Sequence, residues 1–109
     1  MTNWKEKKCA PCEGGTKPMT DEQIRDHLEE VGGWAYREGA VERTFEFKNY
    51  YQTTAFVNAV AWIAHREDHH PDITFGYKKC LVRYATHAIG GISDNDFICA
   101  AKINGLLDE

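Results

Sequence analysis

The spacing of apolar residues changes period between positions 41 and 71, and that change limits what the chain can fold into. Val41, Arg43, Phe45 and Phe47 fall on one side of an alternating run, with Glu42, Thr44 and Glu46 on the other. This is the pattern of a strand with one face against a core. From Asn49 to Asp68 the spacing becomes helical, and Phe56, Val57, Val60, Ala61 and Ala64 form one apolar stripe. Pro71 prevents that helix from continuing. A half-buried strand followed directly by a long amphipathic helix calls for a sheet with a helix laid on it.

The flanking sequence extends this arrangement. Thr20 is a helix N-cap and Gln23 completes a capping box, with Met19 and Ile24 placed for a hydrophobic staple. Ile24, Leu28 and Val31 follow at helical spacing, and Gly32-Gly33 ends the helix. Trp34 and Tyr36 suggest a strand, and Glu38-Gly39-Ala40 a turn into the alternating run, so these two strands form a hairpin. Residues 73–77 and 80–86 read as two further strands, and Gly90-Gly91 as a loop. Ser93 caps a last helix, with Asp94 and Asp96 suited to the positive end of its dipole. Phe97, Ala100, Ala101 and Asn104 share one face, and Gly105 marks the end. The expected order is αββαββα, an α+β fold with an antiparallel four-stranded sheet and helices packed on one face. The other sheet face would need a partner, so a homo-oligomer is expected.

Composition narrows the function classes. The 109 residues suit one domain. Residues 1–18 read as an irregular, mobile N-terminal arm and residues 19–109 as the folded domain. A net charge of −4 argues against nucleic acid as a partner, since such proteins carry a basic face. No apolar run approaches the ~20 residues needed to span a bilayer, so no membrane partner is expected. The charged start of the chain lacks a signal-peptide core, which suggests a cytoplasmic protein. Cys9-Ala10-Pro11-Cys12 is a CxxC, but it sits in a polar Gly- and Pro-containing lead-in rather than between a strand and a helix, so it receives no metal or redox role. Cys80 and Cys99 lie in apolar periodic segments and are expected in the core.

Four of the five histidines lie between positions 65 and 87. His27 stands alone on the first helix and receives no role. His69 and His70 close the long helix just before Pro71, and His87 ends the last strand. A strand end can bring His87 beside a helix end. Three imidazoles in one pocket can serve as acid, base and hydrogen-bond donor near neutral pH, because the unperturbed pKa is about 6.5. The alternative is a set of unrelated surface histidines. His65 and His69 also have the i, i+4 spacing of zinc ligands, with His87 as a third. An Arg follows His65, so the segment is not HExxH and a zinc peptidase is not indicated, while a three-histidine zinc lyase stays open on the residues alone.

His69-His70-Pro71, five residues, Tyr77, nine residues, His87, eight residues and Asp96 reproduce a signature spacing. It resembles that of the pterin-4a-carbinolamine dehydratases. Thr86-His87, Gly90-Gly91 and the Ala-rich helix after Asp96 are similar to that family's C-terminal third, and Gly33-Trp34 with Phe45-Glu46-Phe47 to its first hairpin. The likeness runs from about Met19 to Leu107. The family usually carries an acid four residues before its first motif histidine, where His65 stands here; Glu67 and Asp68 are near, but a continuous helix would direct them elsewhere.

The resemblance implies an α+β fold, a homodimer or homotetramer, and no metal or other cofactor. It implies loss of water from 4a-hydroxytetrahydrobiopterin to give quinonoid dihydrobiopterin, in support of an aromatic amino-acid hydroxylase such as phenylalanine hydroxylase. By the same resemblance His69 and His87 are the acid–base pair, with His70, Trp34, Asp96 and Pro71 at the substrate. Asp96 would orient an imidazole and Trp34 stack on the pterin, or else serve as a core aromatic. His65 and Tyr77 are supporting residues. Some relatives are instead assembly factors for Rubisco or cofactors of a transcription factor, which makes a non-catalytic interaction protein the competing expectation.

Overall fold

The computed structural model describes residues 3–11 and 16–107. Seven elements follow in the expected order: α1 (Asp21–Glu30), β1 (Ala35–Arg37), β2 (Ala40–Glu46), α2 (Tyr50–Glu67), β3 (Asp72–Phe75), β4 (Lys79–Tyr84) and α3 (Asp94–Gly105). The four strands form one sheet in the order β1-β2-β4-β3, antiparallel at every pairing. Glu38 and Gly39 both have positive φ, 49° and 81°, the conformation that a two-residue hairpin between paired Arg37 and Ala40 demands.

Alternation decides which sheet face is covered. Val41 and Phe45 of β2, and Cys80, Val82 and Tyr84 of β4, are buried and join one cluster with Ile24, Phe56, Val60, Phe97 and Ile103 from the three helices. The residues between them face the other way. There, Glu42 meets Arg83 at 3.0 Å and Glu46 meets Lys79 at 3.4 Å, each pair directly opposite across the β2–β4 ladder. The open face is thus polar, and the large exposed hydrophobics lie elsewhere: Tyr36 on β1, Phe75 on β3, Tyr51 and Trp62 on α2.

Helix α2 buries Thr53, Phe56, Val60, Ala64 and Glu67. Ala61, expected in the stripe, is exposed, because the buried line follows 3- and 4-residue steps that pass it by. Helix α3 is enclosed on more than one side, with every residue from Asn95 to Ala100 buried. Its unexpected cover comes from the N-terminus. Trp4 begins a single 3₁₀ turn (Trp4–Glu6), is 4% exposed, and lies against Phe97 and edge-on to His27. The backbone carbonyl of Lys5 accepts from Lys102 Nζ at 2.8 Å.

Residues 3–11, expected to be an arm apart from the domain, instead pack against α3, though they are irregular beyond the 3₁₀ turn. A lone tryptophan in a polar stretch has no periodicity to announce it, but its burial contributes to ordering the segment, together with the hydrogen bonds of residues 5, 9 and 10. The His27 ring, without a role in the sequence reading, is part of the surface that receives it. Replacing Trp4 by Ala is expected to destabilise the fold by about 3–5 kcal/mol, a fall in Tm on the order of 10 °C or more. An unchanged melting curve would show the segment to be dispensable.

Candidate active site

The end of α2 prepares the site. Asp68 takes the left-handed conformation (φ 51°), and the His69 N–H closes back on the Ala64 carbonyl at 3.1 Å. This closure stops the helix at Glu67, two residues before His69, and turns the chain. His69 and His70 thus leave the helix axis, and Pro71 leads directly into β3. On the other side, β4 ends at Tyr84, and after Thr86 the chain makes a 3₁₀ turn (His87–Ile89) that carries His87. The N-terminus of α3 lies between these ends.

Asp96 joins them. It is fully buried, and its carboxylate has three partners. His69 Nε2 lies 2.6 Å from Oδ1, while Thr86 Oγ1 and the Ser93 N–H donate to Oδ2 at 2.8 and 3.0 Å. The Ser93 bond is half of a capping box, so the same carboxylate caps α3 and holds an imidazole. Since Thr86 gives its proton to Asp96, the 2.6 Å contact between Thr86 and Ser93 hydroxyls has Ser93 as donor. The bond to Asp96 assigns a proton to His69 Nε2, which leaves Nδ1 for chemistry. The Tyr84 ring stacks on the imidazole at 5.2 Å, and its hydroxyl donates to the His69 carbonyl at 3.2 Å. Burial works against a charged His69, but the hydrogen bond and charge of Asp96 outweigh it, and the pKa lies above the ordinary histidine value.

His69, His70 and His87 line one cavity of about 310 Å³, together with Glu67, Asp68 and Asn95. That volume is at the lower end of the range for small-molecule pockets. One wall is supplied by Cys9, Ala10 and Pro11. The wall is tied at three points: Asn95 donates to the Ala10 carbonyl at 2.7 Å and accepts from its N–H at 3.1 Å, and Glu67 accepts from the Cys9 N–H at 2.9 Å. Burial raises the pKa of Glu67, but that N–H and the charge of Lys102 outweigh it, so the carboxyl is held below its usual range.

Several residues singled out from the sequence lie apart from the cavity lining. His65 is exposed, its ring 5.3 Å from Trp62, and the left-handed turn at Asp68 breaks the helical register that would have put it beneath His69. Glu67, at the end of the buried line of α2, and Asp68, in the turn itself, both line the cavity, contrary to expectation. Trp34 is a core aromatic, 6% exposed, with Nε1 donating to Asn104 at 2.9 Å and the ring edge-on to Phe45. Tyr77 is 62% exposed in the β3–β4 turn, where its carbonyl accepts from Thr53 at 2.9 Å. Pro71 is half-buried where the chain enters β3, outside the cavity lining. Asp96 is likewise behind the cavity and acts through His69 rather than at its surface. With His65 apart, the three-histidine metal set is not assembled, and no group of three or more metal-ligating side chains occurs among the described residues. No helix among them is long and apolar enough to cross a membrane. Sequence reasoning missed Cys9, Glu67, Asn95 and Thr86; Thr86, adjacent to a motif histidine, was the one with a local signal.

Comparison with known proteins agrees with this geometry. The family model described as pterin 4 alpha carbinolamine dehydratase matches residues 17–106. A protein of Nitrosospira multiformis assigned as a pterin-4-alpha-carbinolamine dehydratase is 62% identical over 100 residues, 92% of this chain and 88% of the relative. One from Nitrosomonas eutropha with the same assignment is 57% identical over 94% of this chain and 91% of its own. The crystal structure of a transcriptional coactivator/pterin dehydratase from Brucella melitensis superposes with a TM-score of 0.80 at 28% identity, covering 84% of this chain and all of that one. A match over most of the chain, with close relatives and a shared fold, settles the affiliation: the chain belongs to the pterin 4 alpha carbinolamine dehydratase family.

Proposed function

We propose that the protein dehydrates 4a-hydroxytetrahydrobiopterin to quinonoid dihydrobiopterin by histidine acid–base catalysis, without a metal. The observation that carries this reading is the convergence of His69, His70 and His87 on one cavity, with His69 held by a buried carboxylate. In the reaction the C4a–O bond breaks as the N5 lone pair forms the C4a=N5 bond. The departing hydroxyl needs a proton, and N5 must lose one. His69, protonated to higher pH than an ordinary histidine, donates from Nδ1 to the leaving hydroxyl. His87, exposed in the cavity lining, takes the N5 proton, and solvent exchange resets the pair. His70 binds substrate. Positioned acid–base groups of this kind contribute roughly 10²–10⁴-fold.

The product would return to an aromatic amino-acid hydroxylase, phenylalanine hydroxylase being the expected functional partner in the cytoplasm. The exposed Tyr51, Trp62 and Phe75 favour a homodimer or homotetramer over a monomer. The Brucella protein is described as a transcriptional coactivator as well; three histidines around one cavity favour the enzyme reading, because a scaffold has no need of them.

Stopped-flow measurement of carbinolamine dehydration tests the assignment. Activity is expected to survive EDTA. His69→Ala and His87→Ala are each expected to lower kcat by about 10²-fold or more, whereas His70→Ala mainly raises KM. Equal, mild effects from all three would refute the roles, and stoichiometric zinc with activity lost on chelation would refute the metal-free route.

Asp96→Asn tests the positioning of His69. Loss of the carboxylate charge removes what raises the imidazole pKa, so NMR titration should show His69 protonating at lower pH. An acid must be protonated to act, so the alkaline limb of the kcat profile should move to lower pH in step. The stability that His69 protonation gives the native protein, full below the unfolded pKa of about 6.5 and lost as pH rises through the higher folded value, should shrink in the variant. An unmoved His69 titration would break the proposed link.

A further inference from the structure

Cys9 and Cys99 meet at 3.7 Å between sulfurs, although ninety positions separate them. Cys99 lies on α3, fully enclosed behind the site. Cys9 is half-buried on the N-terminal segment and lines the histidine cavity. Residues 9–11 are outside the matched family domain, yet they form a wall of that cavity.

We propose that Cys9 and Cys99 form an oxidisable dithiol site, with a peroxide as oxidant, whose disulfide fastens the N-terminal segment as a wall of the histidine cavity. Access sets the order of events. Peroxide enters the cavity and meets Cys9. Its sulfur attacks one peroxide oxygen, the O–O bond breaks, and Cys9 becomes a sulfenic acid as one water leaves. Cys99 then attacks the Cys9 sulfur, the S–S bond forms, and the hydroxyl departs with the Cys99 proton as a second water. In sum, two thiols and one hydrogen peroxide give a disulfide and two waters, a two-electron exchange.

The surroundings suit the second step. The hydrogen bond from Cys9 lowers the pKa of Cys99 against the cost of its burial, with Tyr84 and His69 adding to the effect, while the same bond and burial push Cys9 up. Cys99 is therefore the readier thiolate for closing the bond, and the first oxidation is the slower step. A disulfide at about 2.05 Å requires the sulfurs to approach by about 1.7 Å. The irregular backbone at Cys9 can supply this movement while α3 stays in place. The dithiol chemistry stands on this contact alone; its consequence for turnover rests on the dehydratase reading.

The test treats the reduced full-length protein with hydrogen peroxide and maps its peptides without reduction. A Cys9–Cys99 peptide is expected, with two of the four thiols lost and Tm raised by roughly 5 °C or more until dithiothreitol is added. A Cys9–Cys12 peptide, or over-oxidised Cys9 with Cys99 free, would overturn the site. Cys12→Ser should retain the cross-link. Cys99→Ser should abolish both cross-link and Tm rise, and Cys9→Ser makes the same test if that variant does not fold. In the stopped-flow assay the cross-linked protein is expected to show KM about two- to fivefold lower with kcat within about twofold, since a fixed wall reduces the ordering that binding requires. A cross-link with unchanged KM would overturn the coupling to the cavity. A cross-link in a protein without turnover in either redox state would count against the dehydratase reading and leave the dithiol site standing.

Discussion

The fold and the site share one interaction, the buried carboxylate of Asp96. A charge with no exposure to water is costly unless each lone pair finds a donor. Here the donors come from three places: the α3 cap at Ser93, the end of β4 at Thr86, and the end of α2 at His69. Removing any one would leave a buried charge less compensated. Satisfying Asp96 therefore requires the ends of three elements to meet, and their meeting creates the cavity. His69 is oriented by the same bonds that close the fold, so the site needs no separate scaffold.

Local chemistry made much of this legible in the sequence. The Thr20–Gln23 capping box and the Ser93 cap are short local signals and are formed, whereas Asp96, read from the sequence only as suiting the helix dipole, completes a second box. The alternation from Val41 to Phe47 and the helical run before Pro71 placed β2 and α2 because burial follows period. Orientation beyond a helix end was not legible. The turn after α2 is made by Asp68 in a left-handed conformation, a role for which glycine is the usual marker. Without that marker a continuous helix was the natural reading, and it put His65 beneath His69 and Glu67 away from the site. Motif spacing likewise fixed where Tyr77 and Trp34 fall in the chain, but not which way their rings face.

Contacts between distant segments were the other blind spot. Trp4, Cys9 and Ala10 interact with residues beyond position 60, and no local pattern announces such pairs. Order in this segment comes from tertiary packing, with Trp4 as anchor and Asn95 and Glu67 as ties. The result divides the site between two kinds of sequence. The matched domain supplies the histidines and Asp96, whereas the enclosing wall at residues 9–11 comes from outside it. Enclosure matters because a charge interaction strengthens as water is excluded from around it.

That enclosure bears on the charge balance of the proposed chemistry. Before water leaves, the positive charge sits on His69. Once Nδ1 has given up its proton and the C4a–O bond has broken, the positive charge sits on the pterin until N5 is deprotonated. The cavity therefore holds one positive charge throughout and only moves it. Glu67 and Asp68 line the same space, and Glu67 is held below the usual carboxylate range by the Cys9 N–H and Lys102. In the proposed reaction, negative charge there would favour the pterin cation as it forms, while Asp96 keeps its own attraction for His69 through Nε2. The two attractions compete for one proton. The proton moves readily only if they are nearly matched, and so the Cys9 N–H, by stabilising the charge of Glu67, would help to set the balance at His69.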